Sequence, residues 1–281
     1  MPREQPEQRK PPEAWVLLRY TKLGTARFMS ARDVARVMER AVKRAGIPVA
    51  YSSGFSPHQR ISYAFPAPTG AASDAEYALV ALEMPMPPDD VGARLNTVMP
   101  AGVQVTASAT DKAPLPPRLE ASTWQVTWPD APPSPDLAAA VEAFMSADEV
   151  VVDRRSKGGV KQQDVRAAVV SMSTRLVSGS SALEMTLRQG EPLIRPGDVL
   201  TGLVKAWPDP ATSLHFAQDD ENRGVTTDET VGDTRPSLYR TDQGRLSDGC
   251  VLNPVILREV AGSGRHLVSC DIIGSKRAFA W

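Results

Sequence analysis

Basic side chains gather along one predicted helix in the first part of the sequence. Within residues 31–45 the basic positions are Arg32, Arg36, Arg40, Lys43 and Arg44. Steps of four place 32, 36, 40 and 44 on one stripe, opposite the apolar side that carries Val34, Met38 and Val42. Such a stripe predicts contacts with RNA phosphates, each of which adds salt-dependent affinity. An ordinary solvated helix face is the alternative that the spacing leaves open.

A loop rich in chemically useful side chains follows this helix, over residues 51–60 (YSSGFSPHQR). The ring of Tyr51 or Phe55 can stack on a base, and the Arg60 guanidinium can hold a phosphate or a carboxylate. His58 is a weak candidate for an acid–base catalyst, because no Asp, Glu or Cys lies beside it in sequence. The loop therefore predicts a nucleotide contact, and the catalytic residues stay unknown.

A second basic cluster surrounds a pair of glycines later in the chain. It comprises Arg154, Arg155, Lys157 and Lys161. A loop of this kind can wrap a phosphate. A solvated hairpin fits the same residues equally well.

Charge is uneven along a chain whose total is nearly neutral. The 281 residues carry 32 Lys and Arg against 33 Asp and Glu. Residues 1–70 hold 12 basic against 5 acidic side chains, residues 71–150 hold 3 against 12, and residues 151–175 hold 6 against 2. The total excludes a wholly basic coat protein, whereas basic segments that share a face would attract phosphates.

Several protein classes are excluded or disfavoured by composition. No apolar run approaches the 18 residues of a membrane helix, and the polar, Pro-rich start lacks the apolar core of a secretory signal. The two cysteines, Cys250 and Cys270, are too few for a Cys-based zinc site or an iron–sulfur cluster. The sequence therefore predicts a cytoplasmic protein with no metal site and no membrane contact.

The first half of the chain predicts six elements in the order β-α-β-β-α-β, which is the ferredoxin-like split motif. Strands are expected at residues 14–20, 60–65, 76–84 and 103–107, and helices at residues 31–45 and 89–99. The fold class is therefore α+β, with two helices on one face of an antiparallel sheet.

A second, less regular α+β unit is expected after a Pro-rich linker. The predicted organisation is a disordered start at 1–13, a ferredoxin-like domain at 14–112, a linker at 113–120, a second domain at 121–206 and an acidic, mostly disordered extension at 207–281. Residues 164–172 fit either a helix or a strand. The second unit has no obvious sequence repeat of the first.

The run from Arg27 to Tyr77 resembles the N-terminal signature of a radical-SAM-associated family of unknown function. Gly158 to Val170 and Leu183 to Leu200 are also similar to it, so that the resemblance covers about residues 15–206. Members are fused to, or encoded beside, cobalamin-binding-type radical SAM proteins, and in many actinobacteria they lie near a gene for a ribonuclease of the E/G type. The usual Ser-His-x-Asp before the first helix is here Ser30–Ala31–Arg32–Asp33, whereas His58 is retained.

The resemblance implies a radical SAM protein as partner and RNA, transfer or ribosomal, as the substrate class; DNA is not expected. S-adenosylmethionine and the iron–sulfur cluster would belong to that partner, because this chain lacks a three-cysteine motif and needs no cofactor of its own. The leading hypothesis is a non-catalytic accessory protein that presents RNA or a ribonucleoprotein to the modifying enzyme. The alternatives are an RNA-processing or RNA-modifying enzyme that uses His58, and a protein–protein adaptor that docks through acidic residues 71–150.

Overall fold

The computed structural model describes residues 8–127, 135–156, 158–177, 180–206 and 237–244, all within the compact unit Met1–Cys250. The strands are Ala14–Lys22 (β1), Ile61–Tyr63 (β2), Ala72–Leu82 (β3), Val105–Thr110 (β4), Ala121–Thr127 (β5), Val151–Ser156 (β6), Gly159–Asp164 (β7), Val169–Val177 (β8), Ser180–Arg188 (β9) and Ser237–Gly244 (β10). The helices are Ala31–Arg44 (α1), Pro88–Asn96 (α2), Pro135–Ser146 (α3) and Pro196–Lys205 (α4). The fold is α+β, as predicted.

The first half has the predicted ferredoxin-like topology. Its strands lie in the order β4-β1-β3-β2, and every neighbouring pair is antiparallel. Helices α1 and α2 bury Val34, Met38 and Leu95 against the sheet face that carries Val16 and Leu18. The apolar side chains on one face of the strands, which recur every second residue, therefore pack against the apolar side chains on one face of each helix, which recur every three to four residues.

The second half repeats the same topology, which its sequence does not reveal. Taken in chain order, β5, α3, β8, β9, α4 and β10 form another β-α-β-β-α-β unit with the sheet order β10-β5-β9-β8. All three strand pairs are again antiparallel. The β6–β7 hairpin is inserted between α3 and β8 as a separate two-stranded sheet. The second unit is therefore more regular than the sequence predicts, and the ambiguous residues 164–172 are the end of β7, a turn and the start of β8.

Strand β10 lies within residues 207–281, which the sequence predicts to be mostly disordered. It pairs with β5 antiparallel and with the start of β3 in parallel, so that both halves contribute to one eight-stranded sheet. The pairing partners supply the order that the polar sequence SLYRTDQG lacks by itself. The division into two domains stays a prediction. The remaining residues of 207–281, which include both cysteines, and residues 1–7 of the start predicted to be disordered at 1–13 lie outside the described residues.

The predicted linker packs against the first half of the sheet. Leu115 and Leu119 are buried against Leu17, Tyr77 and Leu79, on the face opposite the helices.

The described part of the chain contains no helix with the length and apolar character needed to span a bilayer.

Buried cations mark the junction between the two halves. Four adjacent strands meet in register here. Lys22 of β1 is opposite Ser73 of β3, Ser73 is opposite Arg240 of β10, and Arg240 is opposite Trp124 of β5. Arg240 is 1% exposed; its guanidinium pairs with the Glu76 carboxylate, donates from Nε to Ser73 Oγ at 3.1 Å and lies over the Trp124 ring at 5.3 Å. A buried guanidinium must find such partners, since leaving it unpaired costs several kcal/mol.

The loop between β2 and β3 closes over these cations with its carbonyl groups. Arg240 Nη1 donates to Phe65 O at 2.6 Å, and Lys22 Nζ donates to Ala67 O at 3.1 Å and Pro68 O at 2.9 Å. Glu76 Oε2 in turn accepts from Ala67 N at 3.3 Å. The small-residue loop is therefore held from within by two cations and one carboxylate.

We expect Glu76→Gln to lower the free energy of unfolding by about 3–5 kcal/mol, because it leaves the Arg240 charge buried without a counter-ion. Urea unfolding at neutral pH measures the loss. The double variant Glu76→Gln with Arg240→Met is expected to recover part of it, since neither charge is then buried. A Glu76→Gln variant as stable as the wild type would contradict this account of the junction.

We expect stability to fall above pH 10 because of two buried phenols. Burial, reinforced by the Glu76 carboxylate, raises the pKa of Tyr20 well above its ordinary value; burial, with the Glu39 carboxylate adding to it, raises the pKa of Tyr63. Their stabilisation is fully present below about pH 10, where the unfolded phenols keep their protons, and is lost as the pH rises above it, by about 1.4 kcal/mol per pH unit for each group.

The measurement is urea unfolding between pH 8 and pH 11, in which Tyr20→Phe should remove about half of the decline. Burial also lowers the pKa of Lys22, so that the titration of Lys22 changes the free energy of unfolding in the opposite direction as the pH rises. The contribution of the Tyr20 phenol is therefore taken as the difference between the variant and the wild type. Equal slopes for the two proteins would refute the assignment to Tyr20.

Candidate functional site

Helix α1 presents its basic residues to solvent as predicted from their spacing. Arg32, Arg36, Arg40, Lys43 and Arg44 are all exposed. The helix begins with a capping box in which Ser30 Oγ accepts from Asp33 N at 3.2 Å and the Asp33 carboxylate accepts from Ser30 N at 3.2 Å. Ser30 Oγ also donates to Asp33 Oδ2 at 2.6 Å, and this bond, together with the one from Ser30 N, lowers the pKa of the Asp33 carboxyl.

The basic stripe is only weakly neutralised by neighbouring acids. Arg36 Nη1 lies 3.9 Å from Asp33 Oδ1, with both side chains more than half exposed. Since Asp33 is also committed to the cap, and an exposed pair of this length stabilises little, the stripe keeps most of its positive charge. Lys43 and Arg44 in addition lie in the last turn, where cations are favoured by the helix dipole.

Gly46 ends α1 and turns the chain toward the next loop. It has φ +64°, and the bonds Gly46 N to Lys43 O and Ile47 N to Val42 O close the helix end. The backbone then pairs with the end of β3 through Ala50 N and Ala81 O at 2.8 Å. The loop that follows α1 is thereby fixed at the β2 edge of the sheet.

A closed hairpin loop follows, and it places His58 against a serine. Ser52 N donates to His58 O at 2.9 Å, His58 N donates to Ser52 Oγ at 3.1 Å, and Ser52 Oγ lies 2.9 Å from His58 Nδ1. Tyr51 and Gln59 form a β-bridge just outside this pair. Ser52 and His58 therefore close the loop, and the exposed Phe55, 71% accessible, lies within it.

A cleft of about 410 Å³ lies beside this loop. It is lined by Ser52, Ser53, His58, Gln59, Arg60, Ile61 and Ser62. Tyr51, Ile61 and Tyr63 pack against the same apolar cluster as the buried face of α1. Of the predicted RNA-contacting residues, His58 and Arg60 line the cleft, Phe55 lies in the adjoining loop, and the basic residues of α1 do not line it.

Gln59 is the member of this site that the sequence analysis missed. Its side chain is 8% exposed, and neither Oε1 nor Nε2 has a hydrogen-bond partner among the described residues. A buried amide left unpaired costs about 1–3 kcal/mol. The sequence did contain one usable signal. Gln59, Ile61 and Tyr63 are two residues apart and so lie on the same face of an extended chain, and Ile61 and Tyr63 both contact the core.

The described members of the second basic cluster lie on both faces of the β6–β7 hairpin. Arg154 Nη1 donates to Leu193 O at 2.9 Å and to Gln163 Oε1 at 3.3 Å, which ties the hairpin to the segment before α4. Lys161 is the direct neighbour of Arg154 across the hairpin, whereas Arg155 lies beside Val160 on the opposite face. Arg155 and Lys161 are exposed, and Lys157 lies outside the described residues.

No group of three His, Cys, Asp or Glu side chains arranged to hold a metal ion occurs among the residues that the structure describes. The groups at the site are instead cations, hydroxyls, one imidazole and one carboxamide. These are the side chains that contact phosphates, sugars and bases.

The fold consists of two ferredoxin-like units in tandem, and it carries an exposed basic helix and a polar cleft. The model of a family described as an uncharacterized protein conserved in bacteria (DUF2344) matches residues 16–196, and the chain belongs to this family. No curated protein matches the sequence.

Two solved structures have detectable but weak similarity. The crystal structure of an unknown protein from Galdieria sulphuraria is 13% identical, with 73% of this chain and 93% of that chain covered and a TM-score of 0.20. DyPB from Rhodococcus jostii RHA1 is 8% identical, with coverages of 70% and 85% and a TM-score of 0.20. Neither likeness bears on function.

We expect Arg154→Met to lower the free energy of unfolding by about 1–3 kcal/mol, because two acceptors lose their charged donor. Arg155→Met is the matched control and should change it by less than about 0.5 kcal/mol, as is usual for an exposed side chain. Urea unfolding of the two variants measures the difference. Equal effects would mean that the contacts of Arg154 do not anchor the hairpin.

Proposed function

We propose that this protein is a non-catalytic accessory protein that binds RNA or a ribonucleoprotein and presents it to a radical SAM modification enzyme. The observation that carries the RNA part is the solvent-exposed basic stripe of α1. The cleft lined by His58 and Arg60, and the exposed Phe55 ring in the adjoining loop, support it further. A line of cations tracks a phosphate backbone, and an exposed ring offers a stacking surface for a base.

The radical SAM part of the proposal is supported by the sequence resemblance described above. S-adenosylmethionine and the iron–sulfur cluster are assigned to the partner. This chain contributes the surface that holds the RNA.

The Ser52–His58 contact favours a second candidate, an RNA-processing or RNA-modifying enzyme. A hydroxyl 2.9 Å from an imidazole has the geometry of a nucleophile and its base. Ser52 Oγ also accepts from the His58 backbone, however, and no described carboxylate accepts a hydrogen bond from the imidazole. The contact is better explained as loop closure, and accessory binding is the function that the geometry supports best.

We expect Arg36, Arg40 and Arg44 changed together to Glu to weaken binding of bulk tRNA or ribosomal RNA by at least about tenfold at roughly 0.1 M salt. The slope of log affinity against log salt should fall by about 2, since three phosphate contacts are lost. Fluorescence anisotropy over a salt series measures both quantities.

The matched control changes Arg94, Lys112 and Arg188 to Glu, which alters the net charge equally through exposed residues outside the site. Control and test variants that weaken binding equally would reduce the effect to net charge and refute the role of α1. RNA turnover by the purified chain, lost in His58→Ala, would establish the enzymatic candidate instead. A nuclease-insensitive complex with the radical SAM protein, without RNA binding, would favour the adaptor.

A further inference from the structure

An exposed aromatic ring lies on the chain directly before the basic stripe of α1. We propose that this ring, Phe28, is a stacking platform for an unpaired base of single-stranded RNA whose phosphates continue along the cations of α1. The inference rests on the proposed function, because it names the class of RNA that the stripe holds, a strand with at least one base outside a duplex.

The Phe28 ring is in water although the backbone beside it is held in the core. Phe28 is the last residue of a 3₁₀ helix at Gly24–Phe28, and its side chain is 59% exposed. Ala26 of the same helix is buried in the apolar cluster of the first half, and Met29 packs against that cluster. The exposure of the ring is therefore a property of the fold at this position.

Hydrogen bonds attach this 3₁₀ helix to two neighbouring loops. Leu23 N donates to Gly102 O at 2.8 Å, and Gly70 N donates to Arg27 O at 2.8 Å. A Cβ at Gly102 would collide with Leu23 O, so that the two segments approach as closely as glycine allows. The ring is thus carried by a preorganised backbone, and little ordering is needed when a base stacks on it.

Arg27 lies over the Phe28 ring. Its guanidinium carbon is 4.6 Å from the ring centre, which is within cation–π distance. Unpaired RNA bases stack on aromatic rings and on guanidinium planes, and this pair offers both. Single exposed apolar side chains are ordinary on protein surfaces. Phe28 differs from Met84, which is also 59% exposed, because a cation lies over it and the basic stripe follows it.

The stripe begins within reach of the same strand. Arg32 is four residues beyond Phe28, so that their Cα atoms are at most about 14 Å apart. The exposed Arg36, Arg40 and Arg44 follow at successive turns of the helix. Bases inside a duplex cover one another's faces, whereas an unpaired base has a free face for the ring. A single strand can therefore use the ring and the cations together.

The test compares wild type with Phe28→Ala in the full-length protein, where loss of an exposed side chain should leave the fold intact. The probes are a fluorescein-labelled single-stranded RNA, an abasic ribose-phosphate strand of the same length, and the duplex of the RNA with its complement. Phe28→Tyr keeps the ring. Met84→Ala is the matched control, because Met84 is equally exposed and lies outside the site.

We expect Phe28→Ala to weaken single-strand binding by about tenfold, the effect of losing one stacked base. Binding of the abasic strand and of the duplex, and the slope of log affinity against log salt, should be unchanged. Phe28→Tyr and Met84→Ala should bind all three probes as the wild type does.

Single-strand binding that depends on α1 but is indifferent to Phe28→Ala would overturn this inference and keep the proposed function. Equal losses for all three probes would overturn the stacking role as well. Single-strand binding that depends on Phe28 but not on the arginines of α1 would keep the platform and overturn the role of the stripe in the proposed function.

A second measurement covers the case in which Phe28→Ala does not fold. In the wild type, the ring protons of Phe28 should shift upfield when the single-stranded RNA is added, because a stacked base shields them. The abasic strand should not cause this shift. Ring protons that respond equally to both strands, or to neither, would overturn the platform.

Discussion

A buried guanidinium at the centre of the sheet is the constraint on which the two halves of this protein depend. Arg240 enters from β10, a strand more than 30 residues along the chain from α4, and meets Glu76 and Ser73 of the first half and Trp124 of the second. A charge that is 1% exposed is tolerated only when its donors are paired. The strand, its register and the loop carbonyls above it therefore have to form together.

The same constraint explains how the edge of β3 is divided. Residues 72–73 of β3 pair with β10, and residues 78–80 pair with the short strand β2. The first part of the edge thus joins the second ferredoxin-like unit, whereas the last part carries the cleft and its loop. Lys22 and Arg240 hold the connecting segment through the carbonyls of Phe65, Ala67 and Pro68. The candidate site is therefore anchored directly beside the junction.

Charge distribution separates the stabilising groups from the candidate binding groups. Arg240, Lys22 and Arg154 contact protein atoms, and each has acceptors inside the fold. The basic residues of α1 and Arg60 face solvent, and among the described residues no carboxylate lines the cleft to which Arg60 belongs. Sequence counts treat all these side chains alike, although only the second set is available to a phosphate.

The sequence by itself determined those features that depend on local periodicity and local chemistry. Apolar spacing gave α1 and α2, alternation gave the strands of the first half, and Ser30 and Gly46 delimited α1 through capping bonds made within a few residues. The outward stripe of Arg32, Arg36, Arg40 and Arg44 follows from the same 3.6-residue period.

Only the tertiary structure decided what depends on distant partners. The second ferredoxin-like unit needs β10, whose polar sequence acquires strand structure through pairing with β3 and β5. Arg154 and Arg155 are indistinguishable in sequence. In the structure, Arg154 lies opposite Lys161 on the hairpin, and its guanidinium donates to Leu193 O. The alternation of Gln59 with Ile61 and Tyr63 indicates that its side chain is buried, but only the structure shows that the buried amide has no hydrogen-bond partner among the described residues.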